Sequence, residues 1–144
     1  AGCADPAVPR AADGRPLFPP GLPGSISHTG RLAVAVVAPG AGAVGVDIED
    51  AEISARVARF VLRDAERRTL LAPGSGFTGR DLFAAKEAAF KALYRPDASD
   101  GLVFWRIGLS RRGDALAASH QGALARVRVW SGPDLSLALA LRPR

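Results

Sequence analysis

Two acidic residues separated by one apolar residue are the first feature of this chain that suggests chemistry. Asp47 and Glu49 flank Ile48 in residues 45–49, which read Gly-Val-Asp-Ile-Glu. On a β-strand, residues two apart point to the same face, so the two carboxylates would lie side by side and repel each other. A cation relieves that repulsion, and a site whose ligands are all oxygen atoms favours Mg²⁺. The backbone carbonyl of Ile48 could supply a further oxygen ligand. The simpler interpretation is a pair of solvated acids at a strand end.

A second candidate group lies in residues 83–92, which read Phe-Ala-Ala-Lys-Glu-Ala-Ala-Phe-Lys-Ala. On a helix, Phe83, Glu87 and Lys91 share one stripe because they are four residues apart. The ordinary interpretation is an exposed Glu87–Lys91 ion pair, worth about 0.3–0.5 kcal/mol. The alternative is that Glu87 gives the same ion a third carboxylate while Lys91 binds a phosphate. That arrangement suits reaction at a pyrophosphate, because metal and ammonium both take up negative charge.

A third candidate group is the sequence Gly-Ser-Ile-Ser-His-Thr at residues 24–29. A lone histidine is usually structural or simply exposed, but His28, beside Ser27, could donate hydrogen bonds to a phosphate. A nucleophilic Ser27–His28 pair is not expected, because neighbours on a strand point to opposite faces. The Gly-x-Ser-x-Gly motif of many serine hydrolases does not occur in the sequence.

Size and charge limit the functions open to this chain. Its 144 residues suffice for one domain. The net charge is +5, and of 19 basic residues all but Lys86 and Lys91 are Arg. This balance favours an anionic partner such as a phosphorylated cofactor or an acidic protein. The basic residues are scattered and not interleaved with aromatic residues, so no nucleic-acid partner is expected.

Location is predicted from what the sequence does not contain. No apolar run reaches the roughly 18 residues that a membrane span requires. The first residues lack the basic start and apolar segment of a signal peptide, and a single cysteine, Cys3, allows no intrachain disulfide. We therefore expect a cytoplasmic protein without a membrane span.

The pattern of Pro, Gly and β-branched residues predicts the first half of the fold. Residues 1–23 are rich in Pro, Gly and Ala, and read as a linker or loop. Strands are expected at residues 25–29, 31–38 (buried) and 43–49, joined in an antiparallel meander. In the third strand, Val44, Val46 and Ile48 are expected to face the core.

Two helices and three more strands complete the predicted fold. A helix over residues 54–72, broken near Leu62-Arg63, would bury Val57, Phe60, Val61 and Leu70. The pair Thr78 and Asp81 forms a capping box that opens a strong helix over residues 79–93. A loop at residues 97–101 precedes strands at 102–109, 123–130 and 135–142. The order βββααβββ indicates an α+β domain in which an antiparallel sheet packs against helices.

In this order, the motifs at residues 24–29, 45–49 and 83–92 resemble the 4′-phosphopantetheinyl transferase superfamily. The resemblance covers about residues 15–142. Within the superfamily the chain is similar to the Sfp-like group and its enterobactin synthase component D branch, which also shows Pro20-Gly21 before the first motif. The only departure within the motifs is Ala84, where a small hydroxyl residue is usual.

The resemblance implies an activity. Such enzymes use Mg²⁺ to move the 4′-phosphopantetheine group from coenzyme A to a serine of an apo acyl or peptidyl carrier protein, as holo-acyl-carrier-protein synthases do. Carrier proteins of siderophore (enterobactin), nonribosomal peptide, polyketide and fatty-acid synthesis are the implied acceptors. Coenzyme A and the carrier are therefore the expected partners.

The resemblance also implies a role for each motif residue. Asp47, Glu49 and Glu87, with the Ile48 carbonyl, would hold Mg²⁺ against the coenzyme A pyrophosphate. Ser27 and His28 would contact coenzyme A phosphates, and Lys91 would bind the pyrophosphate region. Glu87 would also act as the base for the carrier serine, directly or through a metal-bound water, while Lys86 would support the site from its edge.

The long enzymes of the Sfp-like group have two similar halves in a pseudo-dimer, with the active site between them. This chain resembles only the second half and the linker. The resemblance therefore implies that residues 24–144 form the catalytic half, that residues 1–23 are a linker or the remnant of the N-terminal half, and that most of that half is missing. The face that would meet it should be apolar and should cause self-association. Two alternatives to an active transferase remain: a catalytically incompetent fragment that binds coenzyme A or a carrier protein, and a Mg²⁺-dependent phosphohydrolase.

Overall fold

The computed structural model describes residues 7–95 and 102–144, and its centre is a five-stranded antiparallel sheet with a long helix packed against it. Along the chain the elements are β1 (Gly24–His28), β2 (Ala33–Val37), β3 (Ala43–Glu49), α1 (Ala55–Val61), α2 (Asp64–Leu70), α3 (Gly79–Leu93), a 3₁₀ turn (Phe104–Arg106), β4 (Gly108–Arg112), β5 (Ala115–His120), β6 (Ala123–Ser131) and β7 (Ser136–Arg142). The predicted α+β class is confirmed. None of the described helices is long and apolar enough to cross a membrane.

The sheet order departs from the predicted meander. The five-stranded sheet has the order β3-β7-β6-β5-β4, while β1 and β2 pair separately as a ribbon. Strand β3 therefore pairs with β7, placing Val46 opposite Leu139, and not with β2. The meander was wrong because the partner of β3 lies about ninety residues away along the chain, beyond any local signal.

The second half also contains a strand that the sequence pattern did not reveal. Strand β5 is rich in alanine and largely buried, so it lacks the β-branched alternation that marks a strand. The strand predicted over residues 102–109 is instead the 3₁₀ turn, followed by β4 from Gly108. The loop predicted at residues 97–101 lies outside the described residues. Between residues 7 and 23 there is one isolated bridge, Arg10 to Pro16, and no helix or strand.

Helix α3 has the predicted bounds, and the capping box between Thr78 and Asp81 is present. The side of α3 that meets the sheet is made of small residues, all with 0% exposure: Ala84, Ala85, Ala88, Ala89 and Ala92. On the strand side, a Cβ at Gly45 would overlap the carbonyl oxygen of Ala88 and lie 2.9 Å from the Ala92 nitrogen. The backbones of α3 and β3 are therefore in direct contact.

Val44, Val46 and Ile48 of β3 are buried as predicted, but the opposite face of the strand is buried as well. Asp47 lies opposite Ala138 and Gly45 opposite Ala140, and both alanines belong to the core that packs on α3. Cross-strand partners share a face, so the acids lie on the α3 side. Val44, Val46 and Ile48 are buried on the other face, outside that core cluster. The sequence pattern did not show that the face with Gly45 and Asp47 is also covered, because alternating apolar residues mark only one face and α3 packs on the other.

Helices α1 and α2 show the predicted break at Leu62-Arg63. Val61 and Leu70 are buried as expected, but Val57 and Phe60 are 37% and 67% exposed. The strand predicted as buried over residues 31–38 is the ribbon strand β2, whose residues alternate between exposed and half-buried. These errors share one cause: apolar residues were assigned to the core where they lie at the edge of the domain.

The contact between Gly45 and α3 can be tested by adding one methyl group. Gly45→Ala should lower the free energy of unfolding by at least about 2 kcal/mol, because the new Cβ meets backbone atoms that cannot rotate away. Gly30→Ala is the control, since a Cβ there meets nothing within 4 Å. Chemical denaturation of both variants measures the effect, and equal stability would show that β3 and α3 are not in backbone contact.

Candidate active site

Strand β1 lies along the open edge of β3 and is joined to it by serine side chains. The Ser25 hydroxyl accepts a hydrogen bond from the Val46 amide at 3.0 Å, and the Ser27 hydroxyl accepts one from the Ile48 amide at 3.3 Å. Ser27 also donates to Asp47 Oδ1 at 2.8 Å. Both serines are buried, while His28 on the opposite face of β1 is exposed. The structure thus gives Ser27 a role in positioning Asp47.

Asp47 on β3 forms an ion pair with Lys91 on α3. Lys91 Nζ lies 2.8 Å from Asp47 Oδ1 and donates to the Val46 carbonyl at 2.9 Å. No ion pair within the described residues joins Lys91 to Glu87, so the ordinary pair along the helix does not form there. Asp47 is only 5% exposed, and its second oxygen, Oδ2, is buried without a hydrogen-bond partner.

Glu49 and Glu87 share the electrostatic environment of Asp47. Burial, followed by repulsion from Asp47 and by a hydrogen bond that protonated Glu49 makes to Asp47, raises the pKa of Glu49 to about 7, with smaller contributions from Glu87 and Asp50. Burial and repulsion from Asp47 also raise the pKa of Glu87, while Lys91 opposes that shift. The structure therefore brings together the three acids that the sequence analysis singled out, closely enough for each glutamate to experience the charge of Asp47.

Whether these acids suit a metal ion depends on their free oxygens. Among residues 7–95 and 102–144, no three His, Cys, Asp or Glu side chains are arranged so that they could hold a metal ion. The residue types nevertheless suit a hard cation, because Asp47 Oδ2 is buried and unpartnered and the charge of Asp47 raises the pKa of two nearby glutamates. In this structure the compensating charge at Asp47 comes from Lys91.

A cavity of about 500 Å³ opens beside Glu87 and Lys91. Its wall is built by residues of α3, β1 and the segment before β1, among them Phe90, Tyr94, Ser25 and Arg15. Arg15 pairs with Asp13 at 2.7 Å and lies 4.9 Å from the centre of the Tyr94 ring. The sequence analysis missed Arg15 because it lies in the Pro- and Gly-rich segment that reads as a linker.

Lys86 does not belong to this site, although it precedes Glu87. It is fully buried, lies 2.8 Å from Glu66 Oε2 and donates to the Val61 carbonyl at 2.7 Å. Burial lowers the pKa of Lys86, against the opposing influence of Glu66. The expectation that it supports the site from its edge was wrong: successive helix residues are 100° apart, and this one points to the interface with α1 and α2.

Comparison with known protein families finds two family models that match this chain. The family model described as 4′-phosphopantetheinyl transferase superfamily matches residues 43–140, from β3 into β7. A second model, described as 4′-phosphopantetheinyl transferase N-terminal domain, matches residues 1–38. The first match includes the three acids and Lys91, and the second includes Arg15, Ser27 and His28. No curated protein matches the chain.

The raised pKa of Glu49 predicts how stability depends on pH in metal-free buffer. Its folded-state pKa of about 7 exceeds the ordinary value of 4.5, so the folded state binds this proton more tightly than the unfolded state does. The free energy of unfolding should therefore decrease as pH rises from about 4.5 through about 7. Glu49→Gln should flatten this slope and stabilise the protein at pH 8 by about 1 kcal/mol, a figure reduced for partial exposure.

Thermal melts from pH 5 to 8 in the presence of a chelator measure both effects. Asp134→Asn removes an acid from the exposed turn before β7 and is the matched control, for which no change in slope is expected. If Glu49→Gln and the control show the same pH dependence, the raised pKa of Glu49 is not the cause of the change in stability with pH.

Proposed function

The chain belongs to the 4′-phosphopantetheinyl transferase superfamily, and from that premise we propose that it moves the 4′-phosphopantetheine group of coenzyme A to a serine of an apo carrier protein in a Mg²⁺-dependent reaction. Coenzyme A as substrate and phosphopantetheine transfer in general follow from the family. The observation that supports the specific proposal is the convergence of Asp47, Glu49, Glu87 and Lys91 beside a cavity of about 500 Å³.

In the proposed reaction, each residue of the site has its own role. Asp47 Oδ2, Glu49 and Glu87, with the Ile48 carbonyl, would hold the ion, which would draw charge from the pyrophosphate of coenzyme A. The serine oxygen of the carrier forms a bond to phosphorus as the bond to the adenosine 3′,5′-bisphosphate leaving group breaks. Glu87 takes the proton of that serine, a role for which its raised pKa is suitable.

Several cations and hydrogen-bond donors surround the proposed position of the substrate phosphates. Lys91 and Arg15 both line the cavity and are proposed to bind them. Ser27 and His28 are proposed as further phosphate contacts, although here Ser27 bonds Asp47 and His28 lies on the exposed face of β1. Among these, Arg15 is the addition that the three-dimensional arrangement supports.

The carrier protein requires a docking surface near the site. Phe60 is 67% exposed and its ring centre lies 5.3 Å from that of Trp105, which is 43% exposed. Exposed arginines occur on the same two elements: Arg56, Arg59 and Arg106. We call this set the Phe60–Trp105 surface. An apolar centre with a cationic rim suits an acidic partner with an apolar patch.

Ring contacts connect this surface to the acidic site. The ring of Trp105 contacts that of Phe104. The rings of Phe104 and Phe83 form an edge-to-face contact with their centres 5.5 Å apart. Phe83 lies one helical turn before Glu87 on α3. A carrier bound at the Phe60–Trp105 surface could therefore present its serine to Glu87.

The branch and the pathway are further proposals. We propose the Sfp-like, enterobactin synthase component D branch, and hence carriers of siderophore or nonribosomal peptide synthesis, on the basis of residues 24–29 preceding the acid pair. The outer face of the sheet, where Leu124, Trp130 and Leu141 are exposed, is the proposed contact for the other half of the enzyme or for a second copy.

Replacing Glu87 tests the proposed chemistry. Glu87→Gln should reduce the labelling of an apo carrier protein by fluorescent coenzyme A at least about 100-fold, because the amide cannot accept the serine proton. Asp134→Asn should label at the rate of the unchanged protein. A normal rate for Glu87→Gln would remove this residue from the mechanism. If calorimetry detects coenzyme A binding while the unchanged protein labels no carrier, the chain is a binding fragment and not an enzyme.

Replacing Phe60 tests the docking surface separately from the chemistry. Phe60→Ala should raise the KM for the carrier about tenfold or more and leave the KM for coenzyme A unchanged, since exposed aromatic anchors dominate interfaces. Val37→Ala is the control, because Val37 is 48% exposed on β2 and lies outside both proposed contact surfaces. Equal effects of the two variants on the carrier KM would argue against the Phe60–Trp105 surface.

A further inference from the structure

Lys91 on α3 neutralises Asp47 on β3 by forming an ion pair with it. Its ammonium group bridges Asp47 Oδ1 and the Val46 carbonyl, at 2.8 and 2.9 Å, although Lys91 itself belongs to α3. The only other lysine in the sequence, Lys86, is committed to Glu66. Lys91 is thus the lysine that can serve this site.

The two oxygens of Asp47 have unequal surroundings. Oδ1 accepts hydrogen bonds from both Ser27 and Lys91, whereas Oδ2 is buried and has no partner. A cation bound at Oδ2 would lie close to the Lys91 ammonium, in a site where only 5% of Asp47 is exposed to screening water. The bound cation and the Lys91 ammonium would therefore repel each other strongly, because little water is present to screen them.

We propose that Lys91 is a built-in counter-ion which a divalent cation must displace from Asp47, so that metal and coenzyme A bind cooperatively. The inference rests on the proposed function, since it assumes that both ligands use this site. The Lys91 side chain is 29% exposed and has a flexible four-carbon stem, so its ammonium can leave Asp47 without moving α3. A pyrophosphate in the adjoining cavity gives the displaced ammonium a new anionic partner.

The same exchange requires coupling in both directions. The metal displaces Lys91 and makes it available to the phosphate, and the phosphate holds Lys91 away from Asp47 and favours the metal. By linkage, each ligand must raise the affinity for the other by the same factor. This role differs from that of a fixed phosphate ligand, because it requires that removing the Lys91 ammonium strengthens metal binding in the absence of coenzyme A.

Metal binding measured with and without coenzyme A tests this coupling. The probe is Mn²⁺, whose free concentration is read by electron paramagnetic resonance and corrected for Mn²⁺ bound by coenzyme A alone. In the unchanged protein, saturating coenzyme A should tighten Mn²⁺ binding about tenfold or more, within the usual range of such couplings. Lys91→Met, without coenzyme A, should bind Mn²⁺ about tenfold more tightly than the unchanged protein. Coenzyme A should then tighten Mn²⁺ binding by a smaller factor, because only the direct contact between metal and pyrophosphate remains.

A second measurement uses the unchanged protein and does not depend on how a variant folds. With isotope-labelled lysine, two side-chain signals arise, from Lys86 and Lys91. Mg²⁺ together with coenzyme A should shift the Lys91 signal, whereas Lys86, buried against Glu66, should not move. The Lys86 signal is therefore an internal control for a general change of structure.

The outcomes separate this inference from the proposed function. If Lys91→Met binds Mn²⁺ no more tightly than the unchanged protein, or if the Lys91 signal stays in place while both ligands bind, the counter-ion role is wrong. If Mn²⁺ does not bind even with coenzyme A, the metal site fails and the inference fails with it. If Lys91→Met binds Mn²⁺ more tightly and the Lys91 signal shifts but no carrier is modified, the inference stands and only the transfer reaction is overturned.

Discussion

The contact between Gly45 of β3 and the backbone of α3 is the constraint on which the site depends. Because no side chain separates them, the helix lies close enough for Lys91 to reach both the Val46 carbonyl and Asp47. A larger residue at position 45 would push α3 away and separate Glu87 from the acids of β3. The alanines along α3 serve the same purpose, since small side chains allow helix and sheet to approach closely.

Helix α3 places adjacent residues in two different electrostatic environments. Lys86 points inward and is fixed by Glu66, whose other oxygen accepts a hydrogen bond from the Leu109 amide. Glu87 points to the site, where Lys91 and Asp47 already form a pair. Buried ion pairs contribute little net stability, because desolvation offsets their attraction. Their value here is positional: the first pair fixes the rotation of α3, and that rotation determines which residues meet Asp47.

Local signals in the sequence predicted the elements better than their partners. The bounds of α3 follow from a capping box and an uninterrupted run of helix formers, and β3 follows from its alternation and flanking turns. The pairing of β3 with β7 and the burial of its second face against α3 depend on distant residues, so local patterns could not give them. The grouping of Asp47, Glu49 and Glu87 was anticipated through motif resemblance. The Lys91–Asp47 pair and the position of Arg15 required the folded chain.

The way β1 joins β3 explains why a cavity exists beside the acids. A strand hydrogen-bonded directly to β3 would lie within about 5 Å of it and close that edge of the sheet. Instead, the hydroxyls of Ser25 and Ser27 satisfy the Val46 and Ile48 amides, so a side chain's width separates the two strands. The space that remains is lined by Ser25, Val44 and Glu87. Backbone groups that would otherwise demand another strand are thus satisfied while the edge stays open to a substrate.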